Sequence, residues 1–237
     1  MSIGGEIGEV GTENSTEPEL RAYMDAYNAE MKKVAPGKPG LSKISVLTGT
    51  SHGGTVLPDG SIADVSIAFD VLRDLSRVAR KDYGMGGTVQ HGASTVPEEN
   101  FNKFVQHEAI EVHLATNFAT MFFDNVPPEF KREMYAWLDV NSAGDRKPGM
   151  TDEQFYYKTR KNAIGPFKAQ SYALPPETLD KLSNAWEAQF AKLFNLLGIK
   201  DTRLLTDKFI KPVKVQPVLA NYVKDAVTAE DVSDLSD

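Results

Sequence analysis

Apolar residues recur along the first half of this chain in two rhythms: short runs with a period of two, and longer ones with the 3.6-residue spacing of a helix face. Met1 to Gly11 alternates as a strand does and ends in glycines. Thr16 or Ser15 then stands where a helix cap belongs, and Pro18 falls in the first turn. Leu20, Tyr23, Met24, Tyr27 and Met31 follow at helical spacing. Pro36-Gly37-Lys38-Pro39-Gly40 closes the unit. Lys43 to Gly49 reads as a second strand through Ile44, Val46 and Leu47. Beyond a turn at Pro58-Asp59-Gly60, a helix is expected from about Asp64 to Tyr83. Its apolar face is Val65, Ala68, Phe69, Leu72, Leu75 and Ala79, and Gly84 is its C-cap. Thr88 to Gln90 is a third strand, Pro97 to Gln106 a short helix, and Ala109 to Ala115 a fourth strand. The apolar run Phe118 to Phe123, a packing surface, follows at once.

Four strand–helix units joined by short loops imply right-handed crossovers and a parallel sheet. From about Val126 the pattern is helical only. Pro127-Pro128 opens one helix through Leu138, and Thr151 or Asp152 caps another through Lys161. Pro175-Pro176 opens the clearest helix, with Leu179, Leu182, Trp186, Phe190, Leu193 and Leu197 on one packing face until Gly198 stops it. The expected organisation is an α/β region over residues 1–125, a helical extension over 126–225, and an acidic, flexible tail over 226–237. Four units are too few to close a (β/α)₈ barrel. Either the sheet is open or the chain is the C-terminal half of a barrel, and the abrupt start at the initiator methionine favours the second.

Composition narrows the chemistry. A chain of 237 residues, 41% hydrophobic and 25% charged, buries a real core. Its net charge of -7, with no basic block, argues against nucleic acid as a partner. There is no cysteine, which excludes disulfides, thiolate metal sites and a cysteine nucleophile. No apolar run approaches the ~18 residues of a membrane span, and no signal pattern opens the chain, so a cytoplasmic location is expected.

Two segments stand out: Leu47-Thr48-Gly49-Thr50-Ser51-His52-Gly53-Gly54 and Gly87-Thr88-Val89-Gln90-His91-Gly92-Ala93-Ser94-Thr95. Each is a β-like run that breaks off at a His-Gly pair. The imidazole is a potential metal ligand at a sheet edge, and the glycine leaves backbone N–H groups free to approach an anion. The repeat at βα-unit spacing suggests a metal and a phosphorylated ligand held at one end of a sheet.

Gly5-Glu6-Ile7-Gly8-Glu9-Val10-Gly11, Gly49-Thr50-Ser51-His52-Gly53, Gln90-His91-Gly92-Ala93-Ser94 and Val112-His113-Leu114-Ala115-Thr116 occur in that order. Over roughly residues 1–125 they resemble the last four strand-end motifs of the class II, zinc-dependent ketose-bisphosphate aldolases, such as fructose-bisphosphate aldolase. The helical part resembles, loosely, an extension of longer members. The resemblance implies a TIM barrel with its site at the carboxyl ends of the strands. It implies Zn²⁺ held by His52 and His91, with Glu6 tied to a second metal position. It implies a phosphate cradle of Gly53, Gly92, Ser94 and Thr116, and a small phosphorylated ketose cleaved to dihydroxyacetone phosphate and an aldehyde.

The chain departs from that family in three ways. Nothing matches the general acid/base aspartate or third zinc histidine of the earlier half-barrel. The Asn-x-Asp-[Thr/Ser] pattern of the last strand is replaced by His113-Leu114-Ala115-Thr116. The mobile-loop acid finds its nearest counterpart in Glu13. Read from the residues alone, His113 is either site lining or core, Glu6 either an outward carboxylate or a ligand, and His107 a solvated loop residue. The isolated chain is therefore expected to show little catalysis. Homo-oligomerisation or association with an N-terminal half-barrel is expected. The alternatives are a non-catalytic, barrel-completing subunit and another metal-dependent sugar-phosphate barrel enzyme.

Overall fold

The computed structural model describes residues 2–8, 13–49, 56–59, 61, 63 and 66–212. Four strands, β1 Gly4–Glu6, β2 Lys43–Val46, β3 Thr88–Gln90 and β4 Glu111–Val112, form one parallel sheet in the order β1-β2-β3-β4. The crossovers are α1 Glu17–Val34, α2 Phe69–Tyr83, and a third built from two short 3₁₀ turns and α3 Phe101–Gln106. Helix α4 Thr116–Asn125 follows β4. The expected α/β architecture with a parallel sheet is thus observed. Among the described residues β1 and β4 each have a strand neighbour on one side only.

Local chemistry sets the helix ends. At α1, Thr16 and Glu19 form a reciprocal capping box: the Thr16 amide donates to Glu19 Oε2 (2.7 Å) and the Glu19 amide to Thr16 Oγ1 (3.5 Å). Thr151 and Gln154 repeat it further on. Gly84 ends α2 in the left-handed region at φ 65, as expected of a C-cap glycine. Helix α2 starts later than its apolar pattern suggested. Asp64 and Val65 lie outside the described residues, and the Ala68 amide donates to the Thr48 carbonyl (2.9 Å), tying the entry to the end of β2. The fourth strand is shorter than Ala109 to Ala115. The Ala109 amide closes α3 on the Phe104 carbonyl (3.0 Å), Glu108 turns at φ 62, and the Ala115 amide goes to Ser94 Oγ (3.1 Å). These competing bonds leave β4 only its central pair.

Alternation along the strands sorts the sheet into two faces. Ile44, Val46 and Val112 turn one way and pack with Ile7, Leu20, Met24, Leu72, Leu75, Phe101 and Phe104 in a core shared with α1, α2 and α3. The opposite row holds Glu6, Lys43, Ser45 and Glu111, and their mutual contacts place them together. Charged side chains on one face are unusual for a parallel sheet, whose faces are ordinarily covered by apolar layers.

The helices that follow are α5 Pro128–Asn141, α6 Asp152–Thr159, α7 Lys161–Ile164, α8 Lys168–Tyr172 and α9 Pro176–Leu196. The single helix expected through Lys161 is divided at Arg160. A second core gathers Phe123, Phe130, Met134, Leu138 and Phe155. Helix α9 serves both cores: Leu182, Leu179 and Trp186 pack into the second, Leu193, Leu196 and Leu197 into the first. Its stripe is therefore one helix face split between two partners, with Phe190 left 45% exposed. Residues Met1–Lys200 form one compact unit containing both cores. A second unit, Asp201–Asp237, contains α10 Arg203–Phe209. The expected acidic tail lies outside the described residues. Among the described residues no helix is long and apolar enough to cross a membrane.

Because Leu193 is 3% exposed in the sheet-side core, Leu193→Ala is expected to destabilise the chain by about 2–4 kcal/mol. Val140→Ala, at a side chain 76% exposed, is expected to stay within about 0.5 kcal/mol. Urea midpoints measure both; equal midpoints would mean that α9 does not pack on the sheet layer.

Candidate active site

The polar row ends in a cluster at the carboxyl ends of the strands, where open α/β sheets bind ligands. Glu6 is the last residue of β1, His91 follows β3, and His113 follows β4. His91 Nδ1 lies 2.7 Å from Glu6 Oε1, and Ser45 Oγ donates to the same oxygen at 3.4 Å. The His91 and His113 rings stack, with centroids 4.5 Å apart and planes at 24°. His113 Nε2 lies 2.5 Å from Glu111 Oε1, and Lys43 Nζ donates to both Glu111 oxygens at 2.6 Å. Two imidazoles, each held by a carboxylate, thus stand face to face.

Buried hydrogen bonds under the sheet aim these groups. Thr48 Oγ1 donates to Gln90 Oε1 (2.8 Å), and both residues are fully buried. Gln90 Nε2 donates to the His91 carbonyl (2.6 Å), and the His113 amide to the Gln90 carbonyl (2.8 Å). Both imidazoles therefore leave the sheet from backbone fixed by one buried glutamine. Gly92 turns the chain at φ 67, a left-handed conformation natural to glycine. Ser94 then sits in the 3₁₀ turn Ala93–Thr95 and accepts from the Ala115 amide, joining the loop after β3 to the start of α4, whose first residue is Thr116. Gly8, of the Glu-Ile-Gly motif, has a steric reason: a Cβ there would lie 2.9 Å from the Val46 carbonyl carbon.

The expected site residues divide accordingly. Glu6, His91 and His113 are brought together, and Gly92, Ser94 and Thr116 line successive loops at the same end of the sheet. His52 and Gly53 lie outside the described residues. Glu13 is exposed, and no described hydrogen bond or ion pair ties it to the cluster. His107 lies in the turn after α3, as expected, but is half-buried rather than solvated. Its Nδ1 lies 2.8 Å from the Lys103 carbonyl and its ring 5.1 Å from that of Phe69. Sequence reading missed Glu111 and Lys43. The available signal was the i, i+2 spacing of Glu111 and His113, which puts both on one face of a strand.

As donors, Glu6 and His91 match the oxygen and nitrogen chemistry of zinc. A carboxylate on one ring nitrogen is also the usual support of a metal-bound histidine. The donor count is smaller than a complete site: among the described residues no three His, Asp or Glu side chains gather as a metal needs.

The charge of Glu111 is set by its contacts. The hydrogen bond to His113, then that to Lys43, holds the Glu111 carboxyl below the usual glutamate range. A carboxylate with a depressed folded pKa stabilises fully above its unfolded pKa, about 4.3, and loses that contribution as pH falls through the lower folded value. Thermal melts of Glu111→Gln and the parent chain should differ at pH 6, by on the order of 1 kcal/mol given the partial exposure, and converge as pH falls below about 4. A gap that persists at low pH would assign the effect to packing.

Comparison with known proteins bears on this geometry. The family model described as Fructose-bisphosphate aldolase class-II matches residues 1–195, running from the first strand to the end of α9. Among solved structures, the YdjI aldolase of Escherichia coli K12 is similar at 11% identity and a TM-score of 0.37, covering 71% of this chain and 48% of that one. The fructose-bisphosphate aldolase (Fba) of Campylobacter jejuni is similar at 16% identity and a TM-score of 0.35, covering 76% and 51%. The chain thus spans about half the length of these structures. None of the curated proteins is a significant match.

Proposed function

Since the chain belongs to the class-II fructose-bisphosphate aldolase family, we propose that its strand-end cluster is the metal and phosphate side of an aldolase site. The reaction is reversible cleavage of a phosphorylated ketose to dihydroxyacetone phosphate and an aldehyde. The four strands are then the last four of a (β/α)₈ barrel, and their polar row faces its interior. The observation that carries this reading is the Glu6–His91 pair at the strand ends, beside the turn at Gly92 and Ser94.

The residues divide the work. Glu6 orients the His91 ring through its contact with Nδ1. Zinc would be held by His91 with Glu6 close by, and by His52 beyond the described residues. When bound, it supplies Lewis-acid polarisation of the ketone and hydroxyl oxygens. Ser94 Oγ already accepts from the Ala115 amide, so its own hydrogen is left to donate to a phosphate oxygen. The first turn of α4, opening at Thr116, adds backbone amides and the positive end of a helix. His113 lines the site against His91, at the position of the family's amide, and Ala115 stands at that of its carboxylate. Loss of that polar pair changes which substrate the site accepts.

Metal binding tests the assignment directly. Zinc titration of this chain, followed by calorimetry, is expected to give EDTA-reversible binding that His91→Ala removes and Glu6→Gln weakens about 10–100-fold. In the protein that carries this chain, EDTA should abolish cleavage of ketose bisphosphates. Zinc affinity indifferent to both substitutions, or no EDTA-sensitive turnover of any ketose bisphosphate, would overturn the proposal.

A second reading follows from the sheet edges. β1 and β4 each offer one row of backbone groups without a strand partner among the described residues, and such edges favour pairing with further strands. A barrel-completing subunit would associate with an N-terminal half-barrel or with itself. Light scattering on the purified chain is then expected to show a dimer or larger species, and a monodisperse monomer would count against it.

A further inference from the structure

Beside the strand ends, among α4, α6, α7, α8 and α9, lies a cavity of about 1370 Å³. That exceeds the ~300–1,000 Å³ of common ligand pockets. Much of its wall is aromatic and aliphatic, with Phe118, Phe122, Tyr157 and Trp186 on the lining. The charges on it have one sign. Arg160 lines it together with Lys147, Lys158, Lys161 and Lys168, and no Asp or Glu among the described residues does. In a chain of net charge -7 that segregation is not a reflection of bulk composition.

Arg160 is the informative member. Its residue is 7% exposed, where the four lysines are exposed. It donates to Thr120 Oγ1 at 2.5 Å, and its guanidinium lies 4.3 Å from the Tyr157 ring centroid and 5.6 Å from that of Phe123. No carboxylate among the described residues forms an ion pair with it. Burial lowers its pKa, and the opposing contributions of Tyr157, Tyr135 and Asp124 are smaller. Aromatic faces offset part of a buried guanidinium's charge. A buried cation is nevertheless costly without a counter-ion, and five N–H donors exceed what one hydroxyl accepts.

We propose that this cavity binds an organic anion with an aromatic or aliphatic body, its carboxylate paired with Arg160 and its body against the rings. The sign comes from the five cations and the absence of acids among the described lining residues. The apolar body comes from the walls, which would desolvate rings or methylenes and offer a sugar's hydroxyls little. The cavity shares Ala115 and Thr116 with the strand-end cluster, so its occupant lies next to that site. The proposal stands on the cavity alone and does not require aldol chemistry.

Calorimetric titration of the 237-residue chain with 4-phenylbutyrate, 4-phenylbutanol and inorganic phosphate separates charge from body. Phenylbutyrate is expected to bind once per chain, with the alcohol and the phosphate each at least about tenfold weaker. Arg160→Gln should cost about tenfold in affinity. The double variant Lys158→Gln/Lys161→Gln, at exposed positions that leave the cores intact, should cost about threefold. Tryptophan emission should respond to ligand in Trp137→Phe but not in Trp186→Phe, since only Trp186 lines the cavity. Absence of saturable binding, phosphate binding as tightly as phenylbutyrate, or equal binding of the alcohol would each overturn the proposal. So would a folded Arg160→Gln chain with unchanged affinity. If that variant fails to fold, an unaltered affinity in the lysine pair variant overturns it instead.

Discussion

Glu6 meets His91 across an intervening strand because β1, β2 and β3 run parallel and in register, with Glu6 level with Ser45 and Ser45 level with Val89. Strand alternation then puts His91, two residues beyond Val89, on the same face and one step past the sheet's end. Every other feature of the cluster follows from this constraint. Glu111 is level with Val89 in the next strand, so His113, two residues beyond Glu111, leaves that strand beside His91, and the two imidazoles stack. A one-residue slip in any strand would send these groups into the helix layer.

The apolar face resists that slip. Ile44 and Val46 are buried against α1 and α2, and exchanging them with Lys43 and Ser45 would bury a charge and expose the core. The buried Thr48–Gln90 hydrogen bond adds a directional lock in the same layer. A half-satisfied pair in a buried setting is costly, so the register that satisfies it is favoured over neighbours that do not. The cluster's polar groups are thus positioned by contacts on the other side of the sheet.

The helical portion has a related logic. Helix α9 divides its apolar face between the sheet-side core and the core of α4 to α8. Helices gathered that way leave a hollow between them wherever side chains do not interdigitate, and here the hollow is walled by rings and edged by cations. Its position against Ala115 and Thr116 puts it in continuity with the loops at the carboxyl ends of the strands.

Most of the architecture was legible in the residues. Capping signals at Thr16 and Thr151, glycine stops at Gly84 and Gly198, and proline starts at Pro128 and Pro176 are local interactions, complete within one turn. The period of two in Lys43 to Val46 and the His-Gly breaks marked the strand ends, and ordered motifs carried the family. Less local features were not legible. The shortening of β4 depends on the Ala109 amide going to Phe104 and the Ala115 amide to Ser94, bonds that exist only once loops are folded against each other.

Residue order alone carries the α/β succession, the helix boundaries set by caps, and the polar residues due at strand ends. Each rests on interactions between residues a few positions apart. Folding is what sets His113 against His91 rather than in the core, brings Glu111 and Lys43 into the cluster, and buries Arg160 with no described ion-pair partner on the wall of a large hollow. Those outcomes join groups tens of residues apart, and no periodicity along the chain records which distant side chains register and packing bring together.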